Sequence, residues 1–134
     1  MMDYSTPAPS VLIVNWVVLM VALHTHRRLA PDGSHSFALL LYLVQFFAAN
    51  INQGFLLKRH SNCWRVIDWS SAGACYGIWL RTALQQQLPY STIGLVTSLG
   101  LLLNIYQIEA TTRSTLVFWV NCWHLHVAVA LTLL

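Results

Sequence analysis

Five long apolar stretches, separated by short polar segments, dominate the hydropathy pattern of the chain. They cover residues 10–23, 37–57, 66–84, 90–108 and 115–134. The last four match the roughly 20 residues that an α-helix needs to cross the hydrocarbon core of a bilayer. None alternates strictly between apolar and polar positions, which favours helices over barrel strands. The pattern predicts an all-α integral membrane bundle of about five transmembrane helices.

The first apolar stretch is the shortest, and its flanking charges decide how it is interpreted. Asp3 precedes it, and His24, His26, Arg27 and Arg28 follow it. A secretory signal would carry positive charge before the apolar core and a small-residue cleavage site after it. We therefore predict an uncleaved first helix that extends to Arg28, with its histidines and arginines at the level of the lipid headgroups.

The composition of the chain supports a membrane protein and excludes other classes. Of its 134 residues, 57% are hydrophobic and 8% are charged, whereas soluble domains have roughly 25% charged residues. The net charge of +3 comes without a basic stripe, which argues against nucleic acid as a partner. We expect one transmembrane domain, residues 1–134, whose partners are membrane lipids and other membrane proteins.

Polar residues interrupt all five predicted helices at a similar depth. Because successive helices alternate in direction, the starts of helices one, three and five share a membrane side with the ends of helices two and four. Polar side chains in lipid face the bundle interior or a wet cavity, which predicts a polar pocket opening to that side. The alternative is that they join helices through hydrogen bonds worth about 0.6–2 kcal/mol each. The pocket residues are Asn15, Asn50, Asn52, Asn104 and Asn121, with Asp68, Ser70, Ser71 and His124 at the same level.

Asp68 lies near the start of the third predicted helix, where two interpretations apply. It would pair with Arg65 or Lys58 at the membrane interface, or it would act as a metal ligand or proton carrier. Farther along the same helix, Gly73 and Gly77 form a GxxxG step. Small residues at this spacing let helices approach closely in lipid.

His124 lies about ten residues into the fifth predicted helix, near the middle of the membrane. Asn121 is on its helical face, whereas His126 is rotated by about 200° and is expected on another surface. A lone intramembrane histidine is usually a hydrogen-bonded packing residue. His60 and Asp68 share its side of the membrane, so the three residues are a candidate zinc site.

Four segments carry a family resemblance. In chain order they are HTHRRL, LLLYLVQFFAANINQ, IDWSSAGACYGIWL and VNCWHLHVAVALTLL. Together they resemble the CREST superfamily of alkaline ceramidases, progestin and adipoQ receptors and hemolysin III proteins, and most of all its transmembrane protein 8 and myomaker group. The shared features are an arginine pair before helix two, an aspartate early in helix three, and a Trp-His pair in the last helix.

The resemblance implies zinc chemistry with an incomplete set of ligands. Active members are zinc-dependent lipid amide or ester hydrolases, so the resemblance assigns Asp68 and His124 to the metal shell. The helix-two histidine of the family falls near Asn50 or Asn52 here, and its first histidine of the last helix is Val120. The family has seven helices, whereas this chain has about five predicted spans.

Three functional hypotheses follow from these observations. The first is a non-catalytic membrane protein whose polar pocket binds a lipid or a helical partner. The second is a zinc-dependent lipid hydrolase that uses His60, Asp68 and His124 with Ser70 and Ser71, in which zinc would activate a water molecule. The third is a small accessory subunit of a larger membrane complex.

Overall fold

The computed structural model describes residues 8–55 and 63–134, and most of these residues are helical. Within these residues there is no strand. The helices are α1 (Pro9–Leu29), α2 (Ser36–Ala49), α3 (Cys63–Gln85), α4 (Tyr90–Glu109) and α5 (Arg113–Thr132), and a π-helical turn (Asn50–Phe55) continues α2. The predicted all-α bundle is therefore confirmed.

Four helices in the described part of the chain are long and apolar enough to cross a membrane, by length and composition. They are α1, α4, α5 and the segment Ser36–Gln53, which joins α2 to the start of the π-helical turn. α3 has 23 residues but carries Arg65, Asp68 and Arg81, and it does not belong to this set. Four spans thus have direct support, and a span by α3 stays a prediction.

Local sequence signals explain where α1 and α5 begin. Pro9 occupies the first turn of α1, where its fixed φ suits the helix and its missing N–H is not needed. Thr112 caps α5, because its hydroxyl accepts a hydrogen bond from the Thr115 N–H at 3.3 Å. The Thr115 hydroxyl in turn accepts one from the Thr112 N–H, which completes a reciprocal capping box.

The helices follow one another around a ring in chain order. α1 packs on α2 and α5, α2 packs on α3, and α4 packs on α5. Short connections make successive helices antiparallel, so α1 and α5 run in the same direction. α3 and α4 are joined by the hydroxyl groups of Tyr76 and Thr97, 2.7 Å apart; we call this the α3–α4 seam.

Apolar side chains from every helix meet inside the ring. Trp79 is the largest of them, and its indole Nε1 crosses the bundle to donate to the Ala130 carbonyl oxygen at 2.8 Å. A buried tryptophan normally needs such an acceptor. The buried cluster consists of Leu19, Ala22, Tyr42, Phe46, Cys75, Trp79, Ala83, Ile93, Ala130, Leu131 and Leu134.

The GxxxG step of α3 does not mediate a helix contact within the described chain. A Cβ atom added at Gly73 or Gly77 would meet nothing within 4 Å. Both glycines are exposed on the outside of the ring. The close approach within the bundle occurs instead at Gly100 of α4, where a Cβ atom would lie 3.2 Å from the Trp123 and His126 side chains.

Candidate functional site

A cavity of about 190 Å³ lies at the centre of the ring, and all five helices line it. Its walls are mainly apolar, with Val18, Trp79, Val96, Val127 and Leu131 among the lining residues. In the described part of the chain, the lining contains no Asp, Glu, Lys or Arg. The volume is comparable to the roughly 150 Å³ apolar cavity that binds benzene. The cavity therefore has room for a ring or a short stretch of acyl chain, rather than for a whole lipid.

The cavity opens through the side of the bundle. Tyr76 of α3 and Leu101 of α4 both line it, and they are 41% and 62% exposed on the outer surface. Tyr76 belongs to the α3–α4 seam, and Leu101 follows Thr97 by four residues on α4. The opening therefore faces laterally, toward the surroundings of the helices.

Polar groups contribute part of the cavity wall. Gln45, Asn104 and His124 line it. The His124 ring is buried, and its Nδ1 lies 2.7 Å from the Val120 carbonyl oxygen. Because a carbonyl oxygen only accepts, Nδ1 carries the hydrogen, and Nε2 of the neutral ring is an acceptor.

His126 lines the same cavity as His124, although its position on the helix predicted a different surface. The packing of α4 against α5 explains the difference. Gly100 has no side chain at the contact, and His126 Nε2 lies 3.2 Å from the position that a Gly100 Cβ would take. The imidazole therefore reaches the cavity from the side of α5 that faces α4.

Asp68 is the centre of a buried hydrogen-bond network beside the cavity. Its side chain is 1% exposed. Oδ1 accepts from the Gln45 amide at 2.8 Å, and Oδ2 accepts from the Asn52 and Gln53 amides at 2.7 and 2.9 Å. An ionised carboxylate is an acceptor on both oxygens, so three amide donors suit the anionic form. The structure shows amide partners for Asp68 and not an ion pair with Arg65, whose guanidinium lies over the Trp69 ring. The role of Asp68 as a metal ligand or proton carrier stays a prediction.

Ser71 and Gln45 connect this network to the cavity. The Ser71 hydroxyl contacts Gln45 Oε1 and the Ile67 carbonyl oxygen, the latter at 2.7 Å. Gln45 also lines the cavity, and both ends of its amide are engaged. Ser70, the other candidate catalytic serine, is exposed on the outside of α3. Of the two serines, Ser71 alone therefore belongs to the Asp68 network.

The five predicted pocket asparagines lie in different places. Asn15 of α1 donates to Asn50 of the π-helical turn at 2.7 Å, and Asn52 belongs to the Asp68 network. Asn121 of α5 donates to the Ser10 hydroxyl of α1 at 3.0 Å. Asn104 lines the central cavity. Of these side chains, four therefore join helices and one faces the cavity.

The predicted zinc ligands are described only in part. Among residues 8–55 and 63–134, no group of three His, Cys, Asp or Glu side chains is arranged to hold a metal ion. His60 lies outside the described residues, as does Lys58, the other expected ion-pair partner of Asp68. The proposed triad of His60, Asp68 and His124 accordingly stays a prediction.

The sequence analysis missed two contributors to the site, Gln45 and the π-helical turn. Gln45 is a single polar residue inside the strongly apolar segment LLLYLVQFF, and this isolation is the signal that would have identified it. The π-helical turn contains the polar run NINQ, which predicts polar contacts but not their geometry. Such turns occur frequently at functional sites.

Comparisons with known proteins do not assign the chain to a family. No protein-family model, no curated protein and no solved structure matches it.

Proposed function

We propose that the chain is a non-catalytic, multi-pass integral membrane protein that binds a membrane lipid by taking part of an acyl chain into its central cavity. The observation that carries the proposal is the cavity itself. It is lined by all five helices, has no Asp, Glu, Lys or Arg among its described lining residues, and opens sideways at the α3–α4 seam. In a membrane, acyl chains are the molecules present at such an opening.

The free energy of acyl-chain entry into this cavity has a different origin from that of ligand binding in a water-soluble protein. An acyl chain in the bilayer is already in an apolar solvent, so entry brings little hydrophobic gain. The gain comes from filling space in which the lining atoms lack contact partners. Each atom pair contributes only about 0.1–0.2 kcal/mol. The affinity for the lipid therefore depends on how well its acyl chain fits the cavity. Asn104 is the asparagine of the cavity wall, and it gives that wall a polar group beside the apolar surface that receives the acyl chain.

The arrangement around Asp68 supports the non-catalytic form of the proposal. Its carboxylate already accepts three amide hydrogen bonds, and the Ser71 hydroxyl is engaged with Gln45 and Ile67. A general base or a nucleophile needs a hydrogen-bonding position directed at the substrate. Both groups instead tie α2, the π-helical turn and α3 together.

Photolabelling tests the proposal directly. The protein is reconstituted in phosphatidylcholine vesicles that contain a phosphatidylcholine with a diazirine near the end of one acyl chain. Ala130 and Leu131 are 5% and 1% exposed and line the cavity, so lipid outside the bundle does not reach them. After irradiation, we expect labelled peptides at these two residues in addition to labels on the outer surface.

A pair of variants on α3 provides the control. Ala72 lines the cavity and Ala74 is exposed on the outside of the same helix. Ala72→Phe fills cavity space and should abolish labelling at Ala130 and Leu131, whereas Ala74→Phe should leave it unchanged. Labelling confined to the outer surface in the wild-type protein would contradict the proposal.

The other two hypotheses have their own measurements. About one zinc per purified chain, lost in His124→Ala, would support the hydrolase hypothesis and overturn the non-catalytic one. A stoichiometric membrane protein that co-purifies in mild detergent would support the accessory-subunit hypothesis. Membership of the CREST superfamily is likewise a proposal, which rests on the four sequence segments.

A further inference from the structure

The connection between α1 and α2 contains a histidine pair that lies outside the cavity. His26 Nδ1 is 2.9 Å from His35 Nδ1, and the ring centroids are 5.1 Å apart. His26 belongs to the last turn of α1 and His35 is the N-cap residue of α2. Their contact therefore closes the six-residue connection 30–35.

The burial of His26 corrects an expectation from the sequence. The sequence predicts a His26 side chain among the lipid headgroups beside Arg27 and Arg28, but the side chain is 0% exposed and therefore does not contact the surroundings of the bundle. His35 covers it from the connection, and the Tyr42 ring of α2 lies 5.3 Å from it, centroid to centroid. His26 consequently points into the bundle, while Arg27 and Arg28 are exposed.

The distance between the two ring nitrogens limits how many protons the pair accommodates. At 2.9 Å there is room for one hydrogen, which one Nδ1 donates and the lone pair of the other accepts. Two neutral rings satisfy this requirement, and so does one neutral ring with one imidazolium. When both rings are imidazolium, both Nδ1 atoms carry hydrogen, the hydrogen bond is lost and two positive charges face each other.

The titratable and charged groups near the pair come from α1, α2 and the connection. Arg27 and Arg28 come directly after His26 and His24 precedes it by two residues, and all three side chains are exposed. On the α5 side, the contact of Thr25 with the Leu131 carbonyl oxygen involves uncharged groups. Tyr42 is the titratable residue of α2 that contacts His26.

Asp32 is the acidic residue of the connection, and it is fully exposed. Its carboxylate accepts the Ser34 N–H at 3.0 Å, and the hydrogen bonds from Ser34 lower the pKa of the Asp32 carboxyl below its usual value. Asp32 therefore remains negative throughout the range in which histidines change charge. It contributes a constant charge near His35 and does not itself switch.

We propose that the His26–His35 pair is a proton-sensitive latch that holds the end of α1 against the start of α2 and releases when both rings are protonated. Histidine is the side chain whose charge changes between about pH 5 and 8. Acidification that protonates both rings therefore replaces the hydrogen bond by repulsion. The latch also adjoins the central cavity, because Tyr42 contacts His26 and lines the cavity wall.

Hydrogen–deuterium exchange of the reconstituted full chain tests the latch. The reporters are the amides of Gly33 and Ser36, which donate to the Ala30 and Gly33 carbonyl oxygens at 3.1 and 3.0 Å. After correction for the intrinsic effect of pH on exchange, we expect their protection to fall about tenfold or more between pH 7.5 and 5.0. The amides in the middle of α4 should keep their protection and serve as the internal reference.

Two variants separate the latch from a general effect of acid. His35→Gln removes one titrating ring, so the protection of Gly33 and Ser36 should become nearly independent of pH. His24→Gln removes an exposed histidine of α1 and should keep the full wild-type pH response. Unchanged protection in the wild-type protein, or a full pH response in His35→Gln, would overturn the proposal.

Discussion

Asp68 is the residue on which the buried polar contacts of the bundle converge. Its carboxylate receives hydrogen bonds from one residue of α2 and two residues of the π-helical turn. Hydrogen bonds to a charged acceptor contribute more than neutral ones, about 1.5–3 kcal/mol each in water-soluble proteins. In membrane proteins the measured contribution of interhelical hydrogen bonds averages about 0.6 kcal/mol. Three bonds to one buried carboxylate are therefore expected to stabilise the α2–α3 contact by a few kcal/mol.

Replacing Asp68 by alanine should measure this contribution. The substitution leaves three amide donors without their acceptor, and we expect the free energy of unfolding to fall by roughly 3 kcal/mol. Denaturant titration in detergent micelles, followed by tryptophan fluorescence, gives this value. Ser70→Ala on the exposed face of the same helix is the matched control and should change stability by less than about 0.5 kcal/mol. A loss for Asp68→Ala no larger than that of the control would show that the network contributes little.

The helical elements show which features the sequence predicted and which it did not. Apolar run length predicted all five helices and their approximate ends, because a membrane span requires a long stretch without charges. The π-helical turn was not predicted, because its mixture of apolar and polar residues would equally suit the end of an α-helix. It presents Asn50 to α1 and Asn52 with Gln53 to α3, and these contacts exist only in the folded bundle.

The same distinction applies to the candidate site. The polar layer predicted that Asp68 and His124 are buried, because polar side chains avoid lipid. It did not predict that Asn121 would bond to Ser10 rather than face a shared pocket, since the rotation of each helix depends on packing with its neighbours. The burial of His26 was not predicted for a related reason, because its partner His35 lies beyond the end of its own helix.

The α4–α5 contact makes a testable prediction at the level of elements. Gly100 faces Trp123 and His126, whereas a Cβ atom at Gly94 of the same helix would meet nothing within 4 Å. Gly100→Val should therefore overpack the contact and lower the free energy of unfolding by about 1–3 kcal/mol. Gly94→Val places the same side chain in open space and should not destabilise the protein. Equal effects of the two substitutions, measured by the same denaturant titration, would contradict the packing described for α4.

At the scale of the whole molecule, five helices form a ring whose centre is incompletely filled. Protein interiors are normally packed as densely as organic crystals, so a central cavity of about 190 Å³ in a chain of 134 residues is an unusual feature. Its lateral opening lies where α3 and α4 are joined mainly by the Tyr76 and Thr97 side chains. The molecule is therefore organised around a space that opens at the side of the bundle.

Native mass spectrometry of the protein released from mild detergent micelles tests the central proposal most directly. The account predicts that each wild-type chain retains one lipid, seen as a mass increment, and that Ala74→Phe retains it equally. Ala72→Phe, which fills the cavity, should appear as the bare chain under the same conditions. A wild-type chain without bound lipid, or equal retention by Ala72→Phe, would contradict the account.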